Sequence, residues 1–334
     1  RLAEVVQRSY RAALIDEFRV TVPIQLEGCR RICRARGASL CVTEFVLAEE
    51  LLEGESDARR KITLDAAETH TAIQIYGADA ERLAQAASIA EEARPAYIDV
   101  NCGCWVPKVA RRGAGAGWLR EPTAMVAMAK MVVSRVALPV TVKTRIGWGD
   151  EAELPIVDLA RRLEEVGVRG LTVHCRTARM GHSGAADWRW AERAQAAVRI
   201  PVIVNGDIRS ANDAKRALEQ TGCAGVMIGR RAIEHPWVFR EVRARLEREP
   251  KPSAPSWAER VALCTEHLLL RAEAEGERRA LHTLSKLYAG YLGKRPHLGP
   301  WLAELQACRG LEDALEVLGS LENEAQPQAY SLHD

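Results

Sequence analysis

The chain has 334 residues, 47% of them apolar, and its 47 Lys or Arg nearly balance 45 Asp or Glu, leaving a net charge of +2. That is enough apolar material for one large core with a small appended domain, which excludes disorder over most of its length. No apolar run approaches the ~18 residues of a membrane span, and the arginine-rich start lacks the apolar core of a secretory signal, so a soluble, cytoplasmic protein without membrane contact is expected.

Residues 1–19 are expected to form an amphipathic helical extension. From residue 20 onward, β-branched runs recur: "VTVPIQL", "LCVTEF", "TAIQIYG", "YIDVN", "VTVKTR", "GLTVHC", "PVIVNG" and "GVMIG". Between most of them lie segments with apolar residues at helical spacing, such as Ala78 to Ala93, Pro122 to Val136 and Ala211 to Gln220. Eight strands alternating with helices predict an α/β fold, a (β/α)8 TIM barrel over residues 20–248, in preference to an open doubly wound sheet. The stretch "EPKPSAPS", residues 249–256, reads as a turn-prone linker. Beyond it, Trp257 to Glu275, Arg278 to Leu292 and shorter helices to about Leu321 predict a small C-terminal helical domain, residues 257–322, before a frayed tail over 323–334.

In such a barrel the carboxyl ends of the strands surround one mouth, where the chemistry of the fold takes place. Here they carry Asn101 with Cys104, Lys143 with Arg145, His174 with Arg176, Asn205 with Asp207, and Gly229 with Arg230. Singly, each has a bland account: His174 as a core histidine, Lys143 as a snorkelling cation, "NGD" as a turn. Five successive strands ending in such groups point instead to a site for an anion and a heterocycle. "NGD" and "GR" offer backbone N–H groups where the last two loops of many barrels hold a phosphate. Lys143 can stabilise negative charge on a reduced ring, and Gln74 adds an amide for a ring edge.

Nine cysteines form an odd set spread through apolar segments, with no zinc spacing; reduced thiols and no metal site are expected. In "YIDVNCGCWVPKVARRGAGAGWL", Cys104 lies past a strand end in a loop with Lys108, Arg111 and Arg112 and no nearby acid. It is either a small buried sulfur or a thiol that performs chemistry. Cys102, at the strand end itself, fits the buried role better.

These stretches, together with "CRRICRARGASLCVTEF", "PVTVKTRIGW", "TVHCRTARMGHSGAADW", "PVIVNGDI" and "GVMIGRRAI", resemble the tRNA-dihydrouridine synthases over residues 20 to 321. The resemblance implies an FMN-containing barrel with a helical domain. It also implies a two-stage reaction: NADPH reduces FMN, and hydride then passes to C6 of a uridine in tRNA. Cys104 matches the family's cysteine that protonates C5. By the same matching, Gln74, Lys143, His174, Asn205, Gly206, Asp207, Gly229 and Arg230 hold FMN, while Asn101, Lys108, Arg145 and Arg176 lie near the uracil and its phosphate. From Arg278 to Ala303 there are five Lys or Arg and no acid. Lys286, Lys294 and Arg295 in this stripe are expected to grip tRNA, with Tyr288, Tyr291 and Trp301 as stacking surfaces. No obligate protein partner is indicated.

Two departures from the family pattern stand out. Trp105 occupies the place of the proline after the catalytic cysteine. After Leu26 the chain passes directly to Glu27-Gly28-Cys29, about eight to ten residues shorter than a family loop that contacts flavin. That shortening motivates an alternative reading, a flavin-free or inactive RNA-binding homologue. Two further alternatives are an FMN barrel acting on a free pyrimidine and a Schiff-base aldolase using Lys143.

Overall fold

A computed structural model describes residues 20–23, 29–64, 70–149, 154–293 and 298–323. The extension expected over 1–19, and the tail beyond residue 323, lie outside these residues. Eight strands form the barrel: β1 (Val20–Pro23), β2 (Leu40–Val42), β3 (Thr71–Tyr76), β4 (Ile98–Cys102), β5 (Val140–Arg145), β6 (Gly170–His174), β7 (Val202–Asn205) and β8 (Gly225–Met227). Each pairs in parallel with the next, and β1 pairs with β8 to close the barrel that the alternating pattern predicts. A two-residue strand, Val46–Leu47, adds to the end of β3. The expected single run from residue 40 to 45 is thereby corrected: the chain leaves the barrel after Val42 and rejoins the sheet at Val46.

Strand side chains alternate between faces, so each strand contributes one row outward and one inward. The outward row, including Ile73, Ile75, Ile98, Val100, Val142, Val173 and Val204, packs with Leu83, Met128, Leu159 and other helix residues into the main core. The inward row closes the barrel at one end with Leu40, Val42, Ala72, Tyr97, Ile203 and Met227. Toward the carboxyl ends the same row turns polar: Gln74, Asp99, Asn101, Thr141, Lys143, Arg145, Thr172, His174 and Asn205. An apolar plug beneath a polar mouth is the consequence of reading each strand two residues at a time.

The helices Ala80–Glu92, Pro122–Arg135 and Ala211–Thr221 match their expected positions within two residues. Asp79 and Ser210 cap the first and last of these, each accepting a hydrogen bond from the backbone N–H three residues on. Residues 249–256 form no helix or strand. Helix Trp257–Glu275 then begins with a capping box between Ser256 and Glu259.

The expected helix from Arg278 to Leu292 is two helices, Glu277–Leu284 and Tyr288–Leu292. The second packs so closely on the barrel that a Cβ on Gly290 would stand 3.3 Å from the Glu234 backbone. Helices Gly299–Ala307 and Leu311–Asn323 complete this region. Its apolar cluster takes in Ile32 and Trp237 from the barrel side. Arg36 and Arg260 lie 5.7 and 5.5 Å from the Trp237 ring, and ion pairs Arg36–Glu266 and Arg240–Glu259 run at 3.0 and 3.1 Å across the same interface. Tyr288 and Tyr291 are buried in the cluster, and the Tyr291 hydroxyl lies 3.0 Å from His267 Nδ1. They are therefore core residues, correcting their expected role as stacking surfaces; Trp301 packs against the same cluster.

Candidate active site

Strand register explains the convergence at the mouth. Asn101 stands beside Lys143, Arg145 beside His174, His174 beside Asn205, and Asn205 beside Met227. These inward groups wall a cavity of about 310 Å³, within the range of small-molecule sites. Of the expected site residues, Gln74, Asn101, Cys104, Lys143, Arg145, His174, Asn205, Gly206, Asp207, Gly229 and Arg230 line it. Lys108, Arg176 and Lys286 do not line it. Lys108 is exposed on the short helix Pro107–Ala110, and Lys286 is exposed between two helices of the C-terminal region. Lys294 and Arg295 lie outside the described residues, as does the segment 24–28 that follows β1.

Beneath the cavity runs a chain of polar contacts. Thr141 Oγ1 and Gln74 Nε2, the latter at 2.5 Å, donate to the buried carboxylate of Asp99. Asn101 Nδ2 donates to Gln74 Oε1 at 2.9 Å, and Asn101 Oδ1 accepts from the N–H groups of Gly103 and Cys104 at 3.1 and 2.9 Å. Asn101 thus holds the loop that presents Cys104, and the Gln74 amide is engaged at both ends. Burial raises the pKa of Asp99, against the Thr141 and Gln74 hydrogen bonds and Lys143, which lower it. Asp99 is absent from the expected site residues, although it sits two residues before Asn101 and so on the same face of β4.

Lys143 makes no hydrogen bond among the described residues and faces the cavity. Burial, reinforced by Arg145, lowers its pKa to about 8 despite Asp99. Burial likewise pushes His174 far down, helped by Lys143, Arg145 and Arg176, so its imidazole is neutral. Arg176 Nη1 lies 3.4 Å from His174 Nε2; since a guanidinium can only donate, Nε2 is the accepting nitrogen.

The two arginines expected near substrate are largely committed to the loops. Arg145 Nε donates to Gly103 O at 2.9 Å, and Nη1 donates to Thr177 O and Gly181 O at 2.8 and 2.9 Å. It ties the Cys104 loop to the loop after β6. Arg176 donates to both carboxylate oxygens of Asp207, at 2.7 and 2.6 Å, and to Gly184 O at 2.7 Å. Burial would raise the Asp207 pKa, but Arg176, the Ala186 N–H and Arg230 hold it below the usual carboxylate value. This fixes the turn after β7, where Gly206 and Asp207 adopt φ of +120° and +55°. A Cβ on Gly206 would stand 2.8 Å from that of Ala186.

The donor set fits a flat, electron-accepting ring with a phosphate tail. Lys143 supplies a cavity-facing cation with no hydrogen-bond partner among the described residues. Gly229 has open space where a Cβ would be. Arg230, half exposed and 3.7 Å from Asp207, stands at the rim for an anion. Cys104, half-buried, lines the cavity from the opposite loop. Cys102 is fully buried, and burial raises its thiol pKa. Trp105, which stands out in the sequence only as a departure from the family pattern, also lines the cavity, as do Glu44, Phe45, His182 and Arg209, which carry no sequence signal. Most sit on loops, where no periodicity marks an inward position.

The family model described as "Dihydrouridine synthase (Dus)" matches residues 24–327. A probable tRNA-dihydrouridine synthase of Rhodobacter capsulatus is 37% identical over 305 residues, covering 88% of this chain and 90% of its own length. The tRNA-dihydrouridine synthase B of Pseudomonas aeruginosa is 35% identical over 281 residues, 84% of this chain and 81% of its own. Among solved structures, an old yellow enzyme homologue from Zymomonas mobilis superposes with a TM-score of 0.50 at 12% identity, covering 70% of this chain and 90% of that one. That likeness concerns the barrel fold alone.

Proposed function

The chain belongs to the dihydrouridine synthase family, and on that premise we propose that it is a flavin-dependent tRNA-dihydrouridine synthase, reducing the C5–C6 bond of specific uridines with FMN that NADPH has reduced. The observation that carries this reading is the shared cavity of Cys104 and Lys143, a thiol on the loop after β4 and a cation on β5 reaching one space. Bound FMN would supply the hydride for C6.

The chain's own residues do the rest. Hydride addition leaves negative charge at C5 and O4, so a proton must arrive from the other face; Cys104 Sγ gives it. Asn101 and Arg145 hold the Cys104 loop in place, and pre-set geometry of this kind lowers the barrier without further reorganisation. Lys143 and the neutral His174 would hold the ring of the cofactor, while Gly206, Gly229 and Arg230 would receive its phosphate. A target uridine packed inside folded tRNA is drawn out of its stack, since both faces of the base must be reached. Lys108, Lys286, Lys294 and Arg295 contact the RNA backbone. No helix among the described residues is long and apolar enough to cross a membrane, and a cytoplasmic location suits a tRNA substrate.

The deciding experiment is mass mapping of dihydrouridine in unmodified tRNA after incubation with the protein, FMN and NADPH. Product at defined uridines is expected. A flavin-loaded protein that consumes NADPH but leaves every uridine intact would refute the assignment.

A further inference from the structure

The Cys104 loop carries a side chain that the chemistry above does not use. Trp105, next to the thiol, lines the same cavity and is neither fully buried nor free. Its ring lies against the backbone of Gly181 in the loop after β6: a Cβ there would stand 3.3 Å from three of its ring atoms, at a φ of +57°. The Gly181 carbonyl is itself held by Arg145 at 2.9 Å. The indole also meets His182 edge to face, with centroids 5.6 Å apart and planes at 87°. Two loops are thus joined twice, by a guanidinium and by an indole.

His182 also lines the cavity, 6.3 Å from the His174 ring. Burial, then Arg230, Arg145, Arg176 and Lys143 in that order, lower its pKa. A neutral imidazole carries one donor and one acceptor nitrogen. Neither ring nitrogen makes a hydrogen bond among the described residues, and neither does Trp105 Nε1. Trp118, Trp188 and Trp257 donate to Gly77 O, Gly206 O and Leu321 O at 2.9, 2.8 and 2.7 Å, whereas Trp190, Trp237 and Trp301 share with Trp105 the lack of such a bond among the described residues. His182 is exposed and lines the cavity, so its ring nitrogens are accessible to a ligand there.

We propose that His182 contacts the edge of the pyrimidine base, and that Trp105 positions it by packing between Gly181 and the imidazole. The inference rests on the reading of the site as a uridine reductase. A uracil edge alternates carbonyl, N–H and carbonyl, which a neutral imidazole can meet with its donor, its acceptor or both. His182 is then a substrate-binding residue; Trp105 acts through it.

The test uses flavin-loaded protein and single-turnover dihydrouridine formation on tRNA. His182→Ala should lower kcat/KM roughly 3- to 10-fold, the net effect of losing one hydrogen bond. His182→Gln, which keeps a donor and an acceptor, should recover most of it, whereas His182→Leu should not. Trp105→Ala should show a smaller loss that disappears in the His182→Ala background, because a residue acting through another is non-additive with it. Flavin content of every variant should match that of the parent protein. Unchanged kcat/KM in His182→Ala, equal activity of the Gln and Leu variants, or additive losses in the double variant would overturn the proposal while leaving the family reaction intact. Absence of product from the parent protein would instead remove the reaction itself, and this interaction with it.

Discussion

Lys143 poses the sharpest charge problem in the molecule, an ammonium inside the barrel next to a second cation. Its pKa of about 8, set by burial and then Arg145, lies below the ordinary lysine value. The folded chain therefore binds fewer protons than the unfolded one between about 8 and the ordinary lysine value, so this group costs stability at lower pH and ceases to as pH rises through that window. For binding the sign reverses: the cation facing the ring is lost as pH rises through about 8. The apoprotein's affinity for FMN, followed by flavin fluorescence quenching, is expected to weaken across that pH, and Lys143→Arg is expected to remove the step. A pH-independent affinity in the parent protein would separate Lys143 from the cofactor. Cys104→Ala makes a second prediction at this scale: flavin content unchanged and dihydrouridine yield down at least about 100-fold, the usual worth of a positioned acid. Full yield from that variant would assign the proton elsewhere. His174 and Asn205 were legible because they end strands, Lys143 because it faces inward near the end of one, and Cys104 because it follows one; Asp99 shares the inward face of β4 two residues before Asn101. Trp105 was legible only as an oddity, since it packs against a loop some 75 residues away.

The loop from Gly103 to Arg120 shows what a glycine-rich run does beyond making a turn. Ala116 N–H donates to Cys104 O at 3.0 Å. A Cβ on Gly115, at φ +56°, would stand 2.8 Å from that same oxygen and 3.0 Å from the Cys104 Cβ. The glycine is therefore the backing against which the thiol is held. Gly115→Ala is expected to reduce product formation about 10-fold or more while flavin content holds, since a displacement of about 1 Å at a reacting group is costly; mass mapping alongside flavin absorbance would check it. Activity equal to the parent's would mean that the loop gives way without moving the sulfur. From sequence this run reads as a loop and no more, because the close approach is made by the fold. The break between Leu284 and Tyr288 escaped for the same reason: helical spacing continues through it, and the packing of Gly290 on Glu234 ends it.

The barrel and the helical region meet through a shared apolar cluster with Trp237 at its centre and ion pairs around it. Arg279, part of the basic stripe, lies 3.6 Å from Asp57 and 3.5 Å from Glu275, so it is occupied within the protein. Of the four other cations of the stripe, Arg278, Lys286, Lys294 and Arg295, the last three are the candidates for RNA. Replacing all three by Ala is expected to weaken tRNA binding and to lower the slope of log affinity against log salt by roughly 2 to 3, because a phosphate that no side chain neutralises retains its condensed counterion. Filter binding across a salt series measures it, and an unaltered slope would reject the stripe as a docking surface. The alternation of strands and helices made the architecture plain; the split of polar from apolar inside the barrel was plain only where residues two apart could be compared.

The barrel is thinnest on one side. β5 and β6 match at five positions, whereas β1 meets β2 at three and β8 at two, and β2 meets β3 at two. Warming should therefore unzip the cylinder beside Val20 first, with amide exchange fastest there and slowest on the far wall. Because Cys104 and Lys143 belong to that far wall, the reacting groups sit on the part of the molecule that is last to loosen.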